Sequence, residues 1–325
     1  MEGIKKVRVA VVGCGAISDI YFQNMTENFE ILQVVGCCDL KEELAGRTAD
    51  KYGIKVMTFE EILNDRDIEI VVNLTNPSAH YDVIKKLLMN KKNVYTEKVL
   101  AINPDEAKEL VDLAKENNLL LCSAPDTFLG AALQTARFVI DSGIIGKVTS
   151  CVAVLQRDAQ LLAEKFPYTI KAGGGIGIDV GIYYTTALIN LLGPVVEVCG
   201  MSGIIDPKQK HYFVKNANFG QDYTQEAETY LMGTVRFAGG CIGSLHFNSR
   251  SIRTEKPFIA IYGTEGILYL PDPNFFGGEV KVVIKGQLEP IIFPHTHAYD
   301  GNNRGLGVAE MAWSMRKGRI PRTNG

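Results

Sequence analysis

The chain has 325 residues, 46% hydrophobic and 22% charged, with 34 basic residues against 37 acidic ones for a net charge of −3. That balance gives no electrostatic reason to expect nucleic acid or an anionic membrane as a partner. The length exceeds what one hydrophobic core usually serves, so two domains are expected. No apolar run reaches transmembrane length and none of signal-peptide length precedes the first strand, so a cytoplasmic protein is expected. The seven cysteines, at 14, 37, 38, 122, 151, 199 and 241, contain no Cys-x-x-Cys pair and mostly fall in apolar strand-like runs. That suits reduced, buried thiols.

Strands and helices alternate from the start. "VRVAVVG" reads as a strand, and the helix that follows places Ile17, Ile20 and Tyr21 on one face. "LQVVGCCD", "IEIVVNLT", "NVYTEK" and "LLLCSA" are further strands. Before the last of them, "NPDEAKELVDLAKENN" opens with Asn103 as cap, Pro104 at the first helical position and Glu106 completing a capping box. Ala107, Leu110, Val111 and Ala114 then line its buried face. Short connections between alternating strands and helices predict a parallel, doubly wound Rossmann sheet over residues 1–124. From residue 125 the pattern changes to longer alternating strands with glycine-rich turns. It includes a hairpin around Ala238, Gly239 and Gly240 and a strand pair in "FIAIYGTEGILYL", so 125–325 reads as a second, α+β domain.

The first turn carries "GCGAIS". Gly13 permits the tight turn, and Gly15 lets the backbone approach a pyrophosphate at the start of the helix that Ala16 and Ile17 open. Ser18, still small, stands where the third glycine is usual. Asp39 closes the second strand, placed to accept from the adenosine ribose hydroxyls. A carboxylate there repels a 2′-phosphate and favours NAD, while Lys41 softens the repulsion and leaves NADP open.

Several stretches together, "VAVVGCGAIS", "VVNLTNPSAHYDVIKKLL", "KKNVYTEK", "IDSGIIGKV" and "GGGIGIDVGIYYTTALINLLGP", resemble the glucose-fructose oxidoreductase / inositol dehydrogenase / rhizopine-catabolism family of dehydrogenases. The resemblance runs nearly end to end. It implies that Lys98, in a Glu-Lys pair that the family normally follows with proline, reaches the substrate hydroxyl beside the nicotinamide. Glu97 and His80 lie by the cofactor, and Thr75, Asn76 and Pro77 shape the nicotinamide-side loop. Val99 takes the proline's place. In the second domain the resemblance implies an open, largely antiparallel sheet, one face toward the active site and the other toward a partner subunit. Asp179, Gly181 and Tyr183 keep the family's Asp-x-Gly-x-His spacing with tyrosine in place of histidine. The family usually continues through another helix beyond "RKGRIPRTNG".

Removing hydride from a secondary alcohol needs a proton acceptor and a cation for the developing alkoxide. Lys98 supplies the cation. Tyr183 serves as base where a neighbouring ammonium favours its phenolate, with Lys98 itself or Asp179 as the other choices. Four residues apart, Asp179 and Tyr183 share a face if one helix carries both. The three glycines at 173–175 let backbone approach a ligand. Asp126 and Gln134 are placed to line the cleft. His295 and His297 lack a third ligand, so no metal is expected, and the basic run "RKGRIPR" reads as a solvated face. An apolar sheet face left bare is an aggregation hazard, so a homodimer or homotetramer is expected. The reading is an NAD-dependent dehydrogenase of a small carbohydrate or polyol. The alternatives are a non-catalytic dinucleotide-binding sensor, and a glycosidase or eliminase that oxidises its sugar transiently.

Overall fold

Uninterrupted apolar runs form the first sheet, as strands covered on both faces require. In the computed structural model, which describes residues 5–163 and 166–324, the chain divides into two units. One holds the chain through Asp126 together with the segment from Asn302, and the other is Thr127–Gly301. The strands of the first unit are β1 (Val7–Val12), β2 (Leu32–Cys38), β3 (Lys55–Val56), β4 (Ile70–Asn73), β5 (Asn93–Thr96) and β6 (Leu121–Ser123). They pair in parallel in the order β3-β2-β1-β4-β5-β6. The order reverses between β1 and β4, where a doubly wound sheet opens a crevice beyond its strand ends. Helices α1 (Ser18–Glu27), α2 (Glu42–Tyr52), α3 (Phe59–Asn64), α4 (His80–Met89) and α5 (Pro104–Glu116) connect the strands. Val71, Val94 and Leu121 pack with Ile84, Leu87, Leu88 and Leu110 in one buried cluster. Truncating such a side chain to alanine costs roughly 2–5 kcal/mol.

Three local expectations change. Ile17 is exposed at the N-cap of α1, and the buried face is carried by Tyr21, Phe22 and Met25 instead. On α5, Leu110 and Ala114 are buried while Ala107 and Val111 are only partly so. The Asn103 cap accepts from Asp105 N–H at 2.9 Å, one residue short of the expected box with Glu106. A full capping box does form at Thr58 and Glu61, opening α3.

The units also differ from the expected 1–124 and 125–325 division, because the C-terminal helix Leu306–Lys317 belongs to the first unit. It buries Val308, Met311 and Ala312. Gly307 lies so close to Tyr95 that a Cβ there would come within 2.5 Å of the phenol oxygen. Beyond the helix, Ser123 N–H donates to Thr323 C=O at 3.0 Å, and Cys122 bridges Asn324, which covers the β6 edge. Part of the basic run is structural. Arg316 grips Glu69 with two bonds of 2.8 and 2.7 Å, and Arg319 meets the buried Glu310 at 2.5 Å.

The second unit contains helices α6 (Ala131–Asp141), α7 (Gln160–Ala163), α8 (Ile176–Asp179) and α9 (Gly181–Leu192). Its strands are β7 (Val148–Gln156), β8 (Val195–Gly203), β9 (Lys208–Lys210), β10 (Asp222–Thr224), β11 (Tyr230–Phe237), β12 (Ile242–Asn248), β13 (Phe258–Gly263), β14 (Gly266–Leu270), β15 (Val280–Ile284) and β16 (Ile291–Phe293). Eight of them form an open sheet in the order β16-β15-β14-β13-β7-β12-β11-β8, and β9 pairs with β10 apart from it. All pairings are antiparallel except that of β7 with β12. The predicted hairpin is β11–β12, with Gly240 at φ +87° in its turn. Along β12, Gly243, Leu245 and Phe247 are buried while Ile242 and Ser244 are exposed, so one face of the sheet is covered and the other bare. Cys199, on the exposed edge strand β8, is the exception to the expectation of buried thiols. No helix among the described residues is long and apolar enough to cross a membrane.

Candidate active site

The turn after β1 is built around Gly13, at φ +100°. A Cβ there would come within 2.7 Å of the Leu74 carbonyl carbon and 2.9 Å of Thr75 N, so the position needs glycine for both conformation and space. A Cβ on Gly15, by contrast, meets nothing within 4 Å. Gly15, Ala16 and Ile17 are all exposed at the start of α1, whose N-cap has no side-chain hydrogen bond. Ser18 is buried, and its hydroxyl donates to Gly15 C=O at 2.8 Å, which fixes the turn that a third glycine would otherwise only permit. Across the strand ends, Asp39 Oδ2 accepts from Cys14 N–H and Oδ1 from Lys41 N–H, both at 2.8 Å. The carboxylate is thus locked to the glycine turn and keeps lone pairs for further donors.

The loops after β4 and β5 are tied together. Asn73, fully buried, accepts from Thr75 Oγ1 at 2.8 Å and donates to Thr96 Oγ1 at 3.1 Å. Thr75 is half-buried, and Asn76 is exposed at the N-cap of the turn Pro77–Ala79. His80 is completely buried, with Nδ1 2.6 Å from Val99 C=O and Nε2 3.0 Å from Thr75 C=O. Burial holds its imidazole below the usual histidine range, with Lys98 adding to that effect. A neutral ring has one N–H to give, so it donates to one of these two carbonyls at a time. His80 therefore sits between the two loops rather than presenting a free edge. Glu97 is buried, with Oε1 accepting from Tyr21 OH at 2.7 Å and Oε2 from Lys98 N–H at 3.0 Å. Half-buried Lys98 thus follows a fixed carboxylate and precedes a residue whose carbonyl His80 holds. The Lys98–Val99 peptide is cis.

The second unit holds Asp179 and Tyr183, but not on one helix. α8 ends at Asp179, Val180 breaks the run at φ −117°, and α9 begins at Gly181. The expectation that a single helical face carries both residues is corrected. Tyr183 is buried in the first turn of α9, and Asp179 Oδ1 accepts from Tyr168 OH at 3.1 Å. Asp179 lines a cleft with Arg157, Thr169, Glu228 and Ser249. Gly174 and Gly175 serve this unit's own packing. A Cβ on Gly174 would lie 2.0 Å from Tyr168 C=O, and one on Gly175 would lie 1.9 Å from the Glu228 carboxylate.

Two profiles of one family match most of the chain: "Oxidoreductase family, NAD-binding Rossmann fold" over residues 7–124 and "GFO/IDH/MocA C-terminal domain" over 133–269. The chain belongs to the GFO/IDH/MocA oxidoreductase family. Among its relatives is the scyllo-inositol 2-dehydrogenase (NAD(+)) of Bacillus subtilis, 27% identical over 269 residues that make up 82% of this chain and 74% of that protein. An oxidoreductase from Agrobacterium radiobacter, solved with NAD+, L-tartaric acid and magnesium, superposes with a TM-score of 0.80 at 16% identity, covering 98% of this chain and 91% of that one. Levoglucosan dehydrogenase in complex with NADH gives 0.80 at 17% identity, covering 97% and 91%. At those identities the superpositions speak for the fold.

The first unit fits the dinucleotide that this family binds. Open space above Gly15 beside a helix start suits a pyrophosphate, and the tethered Asp39 suits a ribose diol. Tyr21, Asn73 and Tyr168 escaped the sequence reading because each bonds a residue of another element, and Arg157 and Glu228 because only the fold brings them to one cleft. Two residues expected in the cleft are engaged otherwise. Gln134 donates to Phe128 C=O at 2.8 Å, and Asp126 is buried, accepting from Gly305 and Gly307 N–H at 3.1 and 2.9 Å to cap the C-terminal helix. His295 donates to Gly278 C=O, and His297 shares a contact with Thr296.

Burial pushes the Asp126 carboxyl up to about 6, with Glu97 adding to it against the pull of Gly307 N–H. Between its unfolded value, near 4, and that level, the native state holds a proton that the unfolded chain has lost. Stability therefore falls as pH rises through this window. Asp126→Asn keeps an acceptor for the helix and carries no such proton. Urea titrations from pH 4 to 7 are expected to show a slope shallower by up to about 1.4 kcal/mol per pH unit in the variant. Parallel curves would remove Asp126 as the source.

Proposed function

We propose that the protein oxidises a secondary hydroxyl of a cyclitol, sugar or glycoside, with NAD as hydride acceptor. The observation that carries this reading is Lys98, held at the C-terminal end of β5 by Glu97 on one side and by the His80 grip on Val99 on the other. When bound, NAD supplies the nicotinamide ring that takes the hydride. The Lys98 ammonium stabilises the oxygen as negative charge develops on it. The hydroxyl proton passes to Tyr183 or Asp179 as the C–H electron pair departs, leaving a ketone, NADH and one released proton. Asp179 accepts from Tyr168, and a carboxylate can accept several hydrogen bonds on its two oxygens. A relative named for the oxidation of scyllo-inositol supports the substrate class.

The test is NADH absorbance on mixing the protein and NAD with inositols, hexoses, uronates and glycosides. Sustained NADH formation with at least one of them supports a dehydrogenase. Binding of NAD with no net NADH from any of them would favour the sensor or the redox-neutral glycosidase.

We also propose that the bare face of the large sheet joins copies of the chain. Met201 is 81% exposed and pairs in register with the exposed Met232, and Ile242 lies bare on the same face. Light scattering at micromolar concentration is expected to report a dimer or tetramer, and Met232→Lys to shift it toward monomer. A wild-type monomer would overturn the assignment.

A further inference from the structure

The cleft of the second unit contains two charged side chains that the chemistry above does not use. Glu228 sits just before β11, where its carbonyl accepts from Ile176 N–H at 3.2 Å. Its carboxylate rests over Gly175, in the space a Cβ would occupy, and a Cβ on Gly177 would stand 3.5 Å from its Oε1. Gly175 is therefore cleared for this carboxylate, while at Gly177 it is Leu231 Cδ1, at 2.7 Å, that excludes a Cβ. Arg157 follows the end of β7 and lines the same cleft, its charge acting on Asp272 and Tyr184. Among the described residues, neither the Glu228 carboxylate nor the Arg157 guanidinium has a hydrogen-bonding or ion-pair partner, although other charged side chains of this unit are paired. The cleft opens to solvent, and the space around its lining, that open part included, comes to about 320 Å³.

A carboxylate only accepts hydrogen bonds and a guanidinium only donates them, whereas a hydroxyl does both. Neighbouring hydroxyls of one ring satisfy such a pair together. A ring bearing a carboxylate of its own brings a third anionic group beside Asp179 and Glu228, and like charges repel most where water is partly excluded. Resting on the dehydrogenase reading, we propose that Glu228 and Arg157 select the substrate: an uncharged polyhydroxylated ring whose adjacent hydroxyls bridge the two side chains, in preference to its uronic-acid counterpart. Glu228 accepts from one hydroxyl and Arg157 donates to the next.

Binding is measured by calorimetry on the full chain loaded with NADH, using myo-inositol and the pairs glucose/glucuronate and galactose/galacturonate. At least one neutral ring is expected to bind at least tenfold more tightly than the acids. Glu228→Gln is expected to weaken that ring tenfold or more while narrowing its lead over the acid, with NADH affinity unchanged. If that variant folds poorly, Arg157→Gln tests the same cleft. A uronate binding more tightly than every neutral ring overturns the proposal, as do silence from all neutral rings and variants that bind like wild type. Turnover is read separately. A neutral ring that binds through Glu228 without being oxidised leaves the selection standing and defeats the dehydrogenase reading.

Discussion

Lys98→Met is expected to slow the chemical step roughly a hundredfold or more while leaving NADH affinity nearly unchanged, the usual scale for losing one electrostatic or proton-transfer group. Methionine keeps the length and apolar stem of lysine and removes the ammonium. The backbone around it should survive, because Glu97 bonds the Lys98 N–H and His80 bonds the Val99 carbonyl, and neither contact uses the lysine side chain. The residues proposed to hold the cofactor, the Gly13–Gly15 turn and Asp39, make none of these contacts with Lys98. A loss confined to kcat therefore separates chemistry from folding. Tyr183→Phe should also lower turnover, and if the two groups act as one unit the double variant costs less than the product of the single losses. Stopped-flow NADH formation with the best substrate from the screen measures this. Near-normal turnover in Lys98→Met would leave the lysine as a surface residue of its loop.

How far these residues could be read in advance depended on the range of the forces that place them. "GCGAIS" and Asp39 were legible because turn chemistry is local. A glycine pair after an apolar run, answered by a carboxylate closing the next strand, needs no knowledge of distant contacts. Strand-helix alternation carried the parallel sheet in the same way. The C-terminal helix was not legible as part of the first unit, since its docking rests on Gly307 meeting Tyr95 and on Asp126 capping it from far along the chain. The glycines at 173–175 misled for a related reason. Glycine announces a close approach without saying what approaches, and at Gly174 and Gly175 it is the Tyr168 carbonyl and Glu228. The break at Val180 was hidden as well, because "IGIDVGIYY" has helical spacing on both sides of it. His80 was placed near the cofactor by its motif, but its place between Thr75 and Val99 appears only with the fold.

Asp39→Ser is expected to weaken NAD binding about tenfold and to narrow the gap between NAD and NADP by more than that. Two separate effects contribute. The variant loses charge-assisted hydrogen bonds to the ribose hydroxyls, each worth roughly 1.5–3 kcal/mol, which serine only partly replaces. It also removes a negative charge facing the 2′-phosphate of NADP, a repulsion on the order of 2 kcal/mol for a doubly charged group some 5 Å away in a watery setting. The first effect lowers NAD affinity, and the second raises NADP affinity with Lys41 close by to favour it. A structural effect runs alongside, since Asp39 holds both Cys14 N–H and Lys41 N–H and one hydroxyl cannot accept from both in the same geometry. Loosening of the turn weakens both cofactors alike, so it lowers the two affinities without moving their ratio. The ratio of dissociation constants, from fluorescence titration with NADH and NADPH, is therefore the quantity that isolates the charge. A thermal melt of the cofactor-free variant tracks the turn. An unchanged ratio would reduce Asp39 to a brace for the glycine turn, and a wild-type protein that binds NADPH more tightly than NADH would refute the assignment of cofactor preference to this carboxylate.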